Sequence, residues 1–247
     1  MANEKETTMA GAKSKYEQLR PLIIWLGLAE LAWIAHWLLA SDGNTPAFIG
    51  IVVAWMVAML AWMAFVILAG RRGLFLKYSG VFSNLNGVAA VVTFAVAVFG
   101  LIPAVRGSVL TAAYHTSDLQ LINFHILRLL AIGTFIKFLQ GELPLHFVIL
   151  GSVPDFLFAL SAVVLAILST SGPLDHSYLI VWHLIGFFIF MGPGIAMFLS
   201  VPSPIRIYHN QPDTSVVFRF PMLLAPNFTV PLFMLAHLFA LIKLNYT

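Results

Sequence analysis

His36, His125, His183 and His237 are the residues through which this chain could do chemistry, and each falls inside a long apolar run. Neutral imidazole is the commonest metal ligand in proteins. It suits zinc, copper, iron and nickel, and haem iron also takes axial histidine. Arg128 follows His125 by three residues in "NFHILRLL", one helical turn on along the same face. A permanent cation is unfavourable beside a bare metal ion. It is favourable beside an anionic group such as a haem propionate, a carboxylate or a lipid phosphate. The expected cofactor is therefore haem or a transition metal, with Arg128 favouring haem or an anionic ligand. The four histidines are the candidate metal ligands, and Arg128, Glu30 and Trp33 are candidate cofactor contacts.

The elements that must position these residues are read from composition. Hydrophobic residues make up 60% of the 247, charged residues 9%, and the mean hydropathy is +0.94. Soluble domains carry about 25% charged residues. The apolar residues fall in runs long enough to cross a bilayer, which takes about 20 residues as a helix. The period-2 pattern of an outer-membrane barrel is missing. With no cysteine, disulfides and thiolate ligands are excluded. The fold expected is an all-α polytopic membrane protein: a polar tail over residues 1–20, then one bundle of seven spans over 21–247. The spans are placed at 21–40, 46–69, 83–105, 121–140, 152–170, 177–200 and 221–242. The breaks between them carry turn chemistry, as in "SDGNTP", "GRRG" and "TSGPLDH". The segment 141–155 is apolar but punctuated by glycine and proline, and reads as a short connection, an interfacial piece or a re-entrant turn.

Lys and Arg set the orientation. Lys5, Lys13, Lys15, Arg20, Arg71, Arg72, Lys77, Arg206 and Arg219, with Lys137 at the end of span four, fall on one side. Arg106 and Lys243 fall on the other. The N-terminus is therefore expected in the cytoplasm and the C-terminus outside, and the pI of 9.3 reflects basic residues facing anionic lipid. In that frame all four histidines lie roughly 6–9 Å below the outer boundary, at about 1.5 Å per residue. One intramembrane histidine is more often hydrogen-bonding glue between helices. Four at one level point to a shared site.

Ionisable residues within spans are costly and functional by default. Arg128 needs an anion, and Glu30 near the middle of span one is the expected partner. Asp155, at the inner start of span five, reads as too deep. Trp33, Trp37 and Trp182 could wall a pocket near His36 and His183. Pro221, Pro226 and Pro231 recur every five residues in "FPMLLAPNFTVP" and predict an irregular inner half of span seven. "GPG" at 192–194 predicts the same in span six.

The region from Arg128 to Asp155 with "GELP", and the "FP…P.F.VP…H" pattern of span seven, resemble a group of bacterial multi-spanning membrane proteins. The resemblance implies a bacterial inner membrane and carries no activity. The paired histidines of the last span in seven-span zinc hydrolases of the ceramidase and progestin-receptor type are missing, since His237 stands alone. The leading expectation is a cofactor-binding, redox-type membrane protein with its histidine site in the outer half of the bundle. The alternative is a transporter or receptor for a small anionic or lipidic ligand, using a buried Glu30–Arg128 pair and proline-broken helices. A lipid-modifying enzyme with histidine as general base has no supporting nucleophile–base spacing.

Overall fold

A computed structural model describes residues 23–40, 45–77, 81–201, 204–209 and 211–246, with side chains between 76 and 86 excepted. The tail at 1–20, with four of the basic residues that set the expected orientation, lies outside the described residues. Within them the chain is helical, with no strand. Helix α1 spans Ile23–Leu39, α2 Pro46–Arg71, the short α3 Leu74–Lys77, α4 Val81–Leu101 and α5 Pro103–His115. Then come α6 over Asp118–Leu139, α7 over Leu145–Leu168, α8 over His176–Phe198 and α9 over Ala225–Tyr246.

Five of these, α2, α6, α7, α8 and α9, are long and apolar enough to cross a membrane, and α4 with α5 makes up to a sixth as a bent pair. The bend between α4 and α5 is 102°. Pro103 opens α5, and its ring disfavours a helical residue before it, so the helix ahead must stop. The expected span 83–105 is thus a helix broken near its end, and the first expected span is described as a 17-residue apolar helix.

The outward faces of the long helices are apolar, and a set of titratable groups lies inside. On α7, Leu157, Leu160, Val164, Ile167 and Leu168 form an exposed stripe at helical spacing. On α8, Tyr178, Val181, Ile185 and Phe188 do the same. Meanwhile Glu30, His125, Arg128, His183 and His237 are each no more than 2% exposed. A water-soluble bundle would reverse this. The chain is an integral membrane protein.

The helices that carry the polar residues are not regular. In α6 the stretch Leu127–Ala131 tightens to a 3-10 helix. In α7 Val148–Ser152, and in α9 Ala225–Thr229, widen to π turns. Proline explains both π turns in part, because each proline leaves a carbonyl four residues back without its helical donor. Pro154 withholds a donor from Leu150, and Gly192 of α8 comes against that carbonyl so closely that a Cβ there would sit 1.8 Å from it. Pro231 withholds one from Asn227, whose carbonyl instead accepts the Trp62 indole N–H at 2.7 Å. Both expectations of irregular helix, at "GPG" and at the proline triplet, are met in this form. α8 is interrupted at Phe190, just before "GPG".

The segment 141–155 is a turn followed by helix. Gly141 adopts φ +72°, the left-handed region that glycine enters at little cost. This closes α6, with Gly141 N–H donating to Phe138 O and Glu142 N–H to Lys137 O. Lys137 and Glu142 then form an ion pair at 2.8 Å. α7 begins at Leu145, not at 152, and this moves Asp155 into the body of a span.

Candidate metal centre

The depth of the histidines is set at the ends of three helices. A capping box fixes the start of α6: Ser117 Oγ accepts from Gln120 N–H, and Gln120 Oε1 accepts from Ser117 N–H. Asp175 caps α8 by accepting from Tyr178 N–H at 3.0 Å. α9 runs antiparallel to both and is tied to each. Lys243 pairs with Asp118 at the head of α6, and the Leu244 carbonyl bonds to His176 Nε2 at the head of α8. Seven residues separate Asp118 from His125, His176 from His183, and His237 from Leu244. Seven residues are about two turns and roughly 10 Å, with only about 20° of drift. The two ties therefore bring all three imidazoles to one level.

They meet. The ligating nitrogens of His125, His183 and His237 lie within 4.8 Å of one another. His183 Nδ1 and His237 Nδ1 are 3.0 Å apart. The His125 ring stacks on His237 with centroids 3.9 Å apart and planes 10° from parallel. Gly186, one turn along α8 from His183, makes the room: a Cβ there would sit 2.3 Å from His237 Cε1 and 2.3 Å from Phe158 Cζ. Phe158, Trp182 and Phe233 pack around His125. Trp182 also lies edge-on to His183 at 4.8 Å and anchors its indole N–H on Ser161 Oγ at 2.8 Å. Gly186→Ala is expected to push His237 off its partners and to lower thermal stability by about 1–3 kcal/mol, as overpacking in a close-packed core does. Thermal unfolding in detergent measures it.

Arg128 completes the cluster, with a different partner from the one expected. Its Nε donates to Asp155 Oδ1 at 2.6 Å, and Nη2 stands 2.5 Å from the same oxygen. The Nη2 contact is an ion-pair approach without an aligned N–H. Nη1 contacts His237 Nε2 at 3.0 Å and the Gly186 carbonyl at 3.4 Å. The guanidinium carbon lies 4.4 Å from the Phe158 ring centroid and 4.3 Å from that of Phe190, which adds cation–π attraction. The expected Glu30–Arg128 pair is corrected to Asp155–Arg128. Because α7 starts at Leu145, Asp155 lies ten residues inside it, about 15 Å along the axis, which is deep enough to meet Arg128.

Arginine has no acceptor atom, so the His237 Nε2 facing it carries a lone pair. The His237 proton then sits on Nδ1 and donates to His183 Nδ1. A chain of hydrogen bonds runs from Asp155 through Arg128 and His237 to His183. His125 is outside the chain: among the described residues neither of its ring nitrogens has a hydrogen-bond partner. Leaving a buried polar group unmade costs roughly 1–3 kcal/mol.

The other expected members do not join. His36 is exposed on α1, and Trp33 is 38% exposed beside it. The inward face of α1 is formed by Glu30, Leu31, Ile34 and Trp37. Trp37 packs on Phe124 and Phe239, not on the histidines. Glu30 is 0% exposed, and among the described residues neither carboxyl oxygen has a hydrogen-bond partner. It sits one turn from Gly27, where a Cβ would come 2.9 Å from Phe228 Cε1 and 3.5 Å from Met63 Sδ. Glu30→Met removes a buried polar group at similar volume and is expected to stabilise by about 1–3 kcal/mol, read as a higher unfolding midpoint. Sequence reasoning missed Gly186. Its signal was available: a glycine three residues after a histidine, in a helix with no other need of one.

Comparison with family models, with curated proteins and with solved structures returned no match, so the reading of this centre stands on its own geometry.

Proposed function

We propose that the chain is an integral membrane protein that holds one transition-metal ion on His125, His183 and His237. The observation that carries this reading is His125. Two unpartnered ring nitrogens sit fully buried beside two other imidazoles whose ligand atoms lie within 4.8 Å of its own. A metal would take up the lone pair that packing leaves idle. Imidazole nitrogens bind zinc at about 2.0–2.1 Å, so two of them on one tetrahedral ion stand roughly 3.4 Å apart. The 3.0 Å between His183 Nδ1 and His237 Nδ1 is close to that spacing.

The objection from Arg128 loses its force. Its charge is balanced by Asp155, so the pair adds no net charge beside the ion. A haem is favoured less. Its axial imidazoles stand across a flat macrocycle, whereas His125 and His237 lie face to face at 3.9 Å. Three histidines with a fourth position open is the arrangement of catalytic rather than structural zinc. Such a metal supplies Lewis acidity or, for iron or copper, electron transfer. In the redox case the protein would be an oxidoreductase. The chain's own contribution is the aromatic cage of Phe158, Trp182 and Phe233 around the rings.

The positive-inside count supports a cytoplasmic N-terminus, and the resemblance noted above supports a bacterial inner membrane. Counting α1 and the bent α4–α5 pair as spans gives the seven expected. The site then lies about two turns below the outer face. A second reading, a carrier for a small ligand, draws on Glu30, a buried carboxyl with no hydrogen-bond partner among the described residues, and on the broken helices. Cobalt(II) titration of the purified protein in detergent separates the two. The metal reading expects one equivalent, with ligand-field bands that vanish in His183→Ala. The absence of saturable bands would leave the carrier reading standing.

A further inference from the structure

Resting on the metal reading, we propose that the ion enters and leaves the centre through one membrane face, the one at which α6 and α8 begin and α9 ends. The two ties across those helix ends are the latch on that route.

The centre is not midway between the faces. Seven residues, roughly 10 Å, separate each histidine from the tied residue of its own helix at that face. Towards the other face α6 runs fourteen residues beyond His125, to Leu139, and α8 runs fifteen beyond His183, to Phe198. That is about 20 Å, twice the distance.

The short way is closed by groups that can part. One turn from the rings, the buried side chains are Leu121 and Ile122 on α6, Leu179 on α8 and Ala240 on α9. They are aliphatic, so they meet through apolar contact alone. One turn further out, consecutive residues of α9 hold the two neighbouring helices. Lys243 pairs with Asp118, and the Leu244 carbonyl accepts from His176 Nε2. The Asp118 side chain is 40% exposed, and Asp175 and His176 at the head of α8 are exposed as well. An ion pair open to water contributes little, because solvent competes for both partners and salt screens them. When it opens, the Asp118 carboxylate is released at the mouth, where it attracts an arriving cation.

The long way is closed by a fixed cation. Arg128 Nη1 stands 3.0 Å from His237 Nε2 and 3.4 Å from the Gly186 carbonyl. Asp155 holds the Nε edge of the guanidinium, away from Nη1. A metal ion leaving on that side would therefore meet positive charge before it met the carboxylate. Arg128 is 1% exposed, and the Phe158 and Phe190 rings lie 4.4 and 4.3 Å from its guanidinium carbon. Like charges repel most strongly where screening is weakest.

The experiment uses the full chain carrying a cleavable C-terminal tag, loaded with radiolabelled zinc(II) and reconstituted in phosphatidylcholine vesicles in both orientations. Protease added outside removes the tag from chains whose C-terminus faces out. EDTA, which does not cross the bilayer, is then added outside. The vesicles are washed and dissolved, and chains with and without the tag are separated and counted. Chains without the tag should have lost their zinc and tagged chains should have kept it, since α9 ends at the proposed face. Loss from the tagged chains, from both populations, or from neither overturns the route while leaving the metal reading intact. No zinc held by the unaltered protein on loading overturns both. Lys243→Gln should speed uptake and release alike, by up to about 5-fold, the equivalent of an exposed ion pair. Its dissociation constant should not change, and Lys243→Arg should restore the rates. A tie that serves the fold alone would weaken affinity and leave uptake unchanged, and that result overturns the latch. The sidedness measurement needs no substitution, so a misfolded variant does not shelter the proposal.

Discussion

Asp155→Ala is expected to be the most damaging single change in the protein, lowering stability by roughly 3–5 kcal/mol, the usual loss when one partner of a buried ion pair is removed. Arg128 is 1% exposed and takes its aligned carboxylate contact from Asp155. Without Asp155 a full positive charge would remain among Phe158, Phe190 and Phe233. The lone pair of His237 Nε2 and the Gly186 carbonyl, at 3.0 and 3.4 Å, cannot neutralise it. Removing the charge as well should restore much of the loss. The double change Arg128→Met with Asp155→Ala is therefore expected to unfold at a higher temperature than Asp155→Ala alone. Glu30→Ala, by contrast, should neither reproduce the Asp155→Ala loss nor be rescued by a change at Arg128. Thermal unfolding of the four variants in one detergent decides this, and equal losses for Asp155→Ala and Glu30→Ala would contradict the pairing.

The second large effect is a separation of stability from binding at His125. His125→Phe should leave the metal-free protein as stable as before or more so, by up to about 1–3 kcal/mol for the removal of unmade buried polar groups. The new ring would join an aromatic setting that already includes Phe124, Phe158, Trp182 and Phe233. The same variant should lose metal binding by two orders of magnitude or more. A residue kept only for packing gives the opposite result, with stability falling and binding unchanged. Paired unfolding and cobalt(II) titrations on one preparation read both.

Much of this was legible in the sequence, and the reasons differ by residue. His125, His183 and His237 could be placed at one depth because helical rise is fixed, and seven-residue offsets from the helix ends keep them on one face. His36 shares the depth and not the site. Depth is silent about direction around the helix axis, and the inward residues of α1 are Glu30, Leu31, Ile34 and Trp37. Asp155 was discounted for a related reason. Gly151 and Pro154 read as a span boundary, whereas a π turn and the glycine contact at Leu150 carry α7 through them. Moving that helix start from 152 to 145 moves the carboxylate about two turns, enough to exchange the expected partner of Arg128. The all-helical, membrane-embedded character followed from composition alone. The bend at Pro103 was not foreseen, because an apolar run is the same whether or not a proline breaks it.

The most direct test of the three-histidine centre is X-ray absorption on the purified protein loaded with zinc(II). One ion per chain is expected, with nitrogen or oxygen neighbours at about 2.0–2.1 Å and outer-shell scattering from three imidazoles, falling to two in His125→Phe. A first shell of oxygen alone, or a spectrum that does not change when His125, His183 or His237 is replaced, would contradict it.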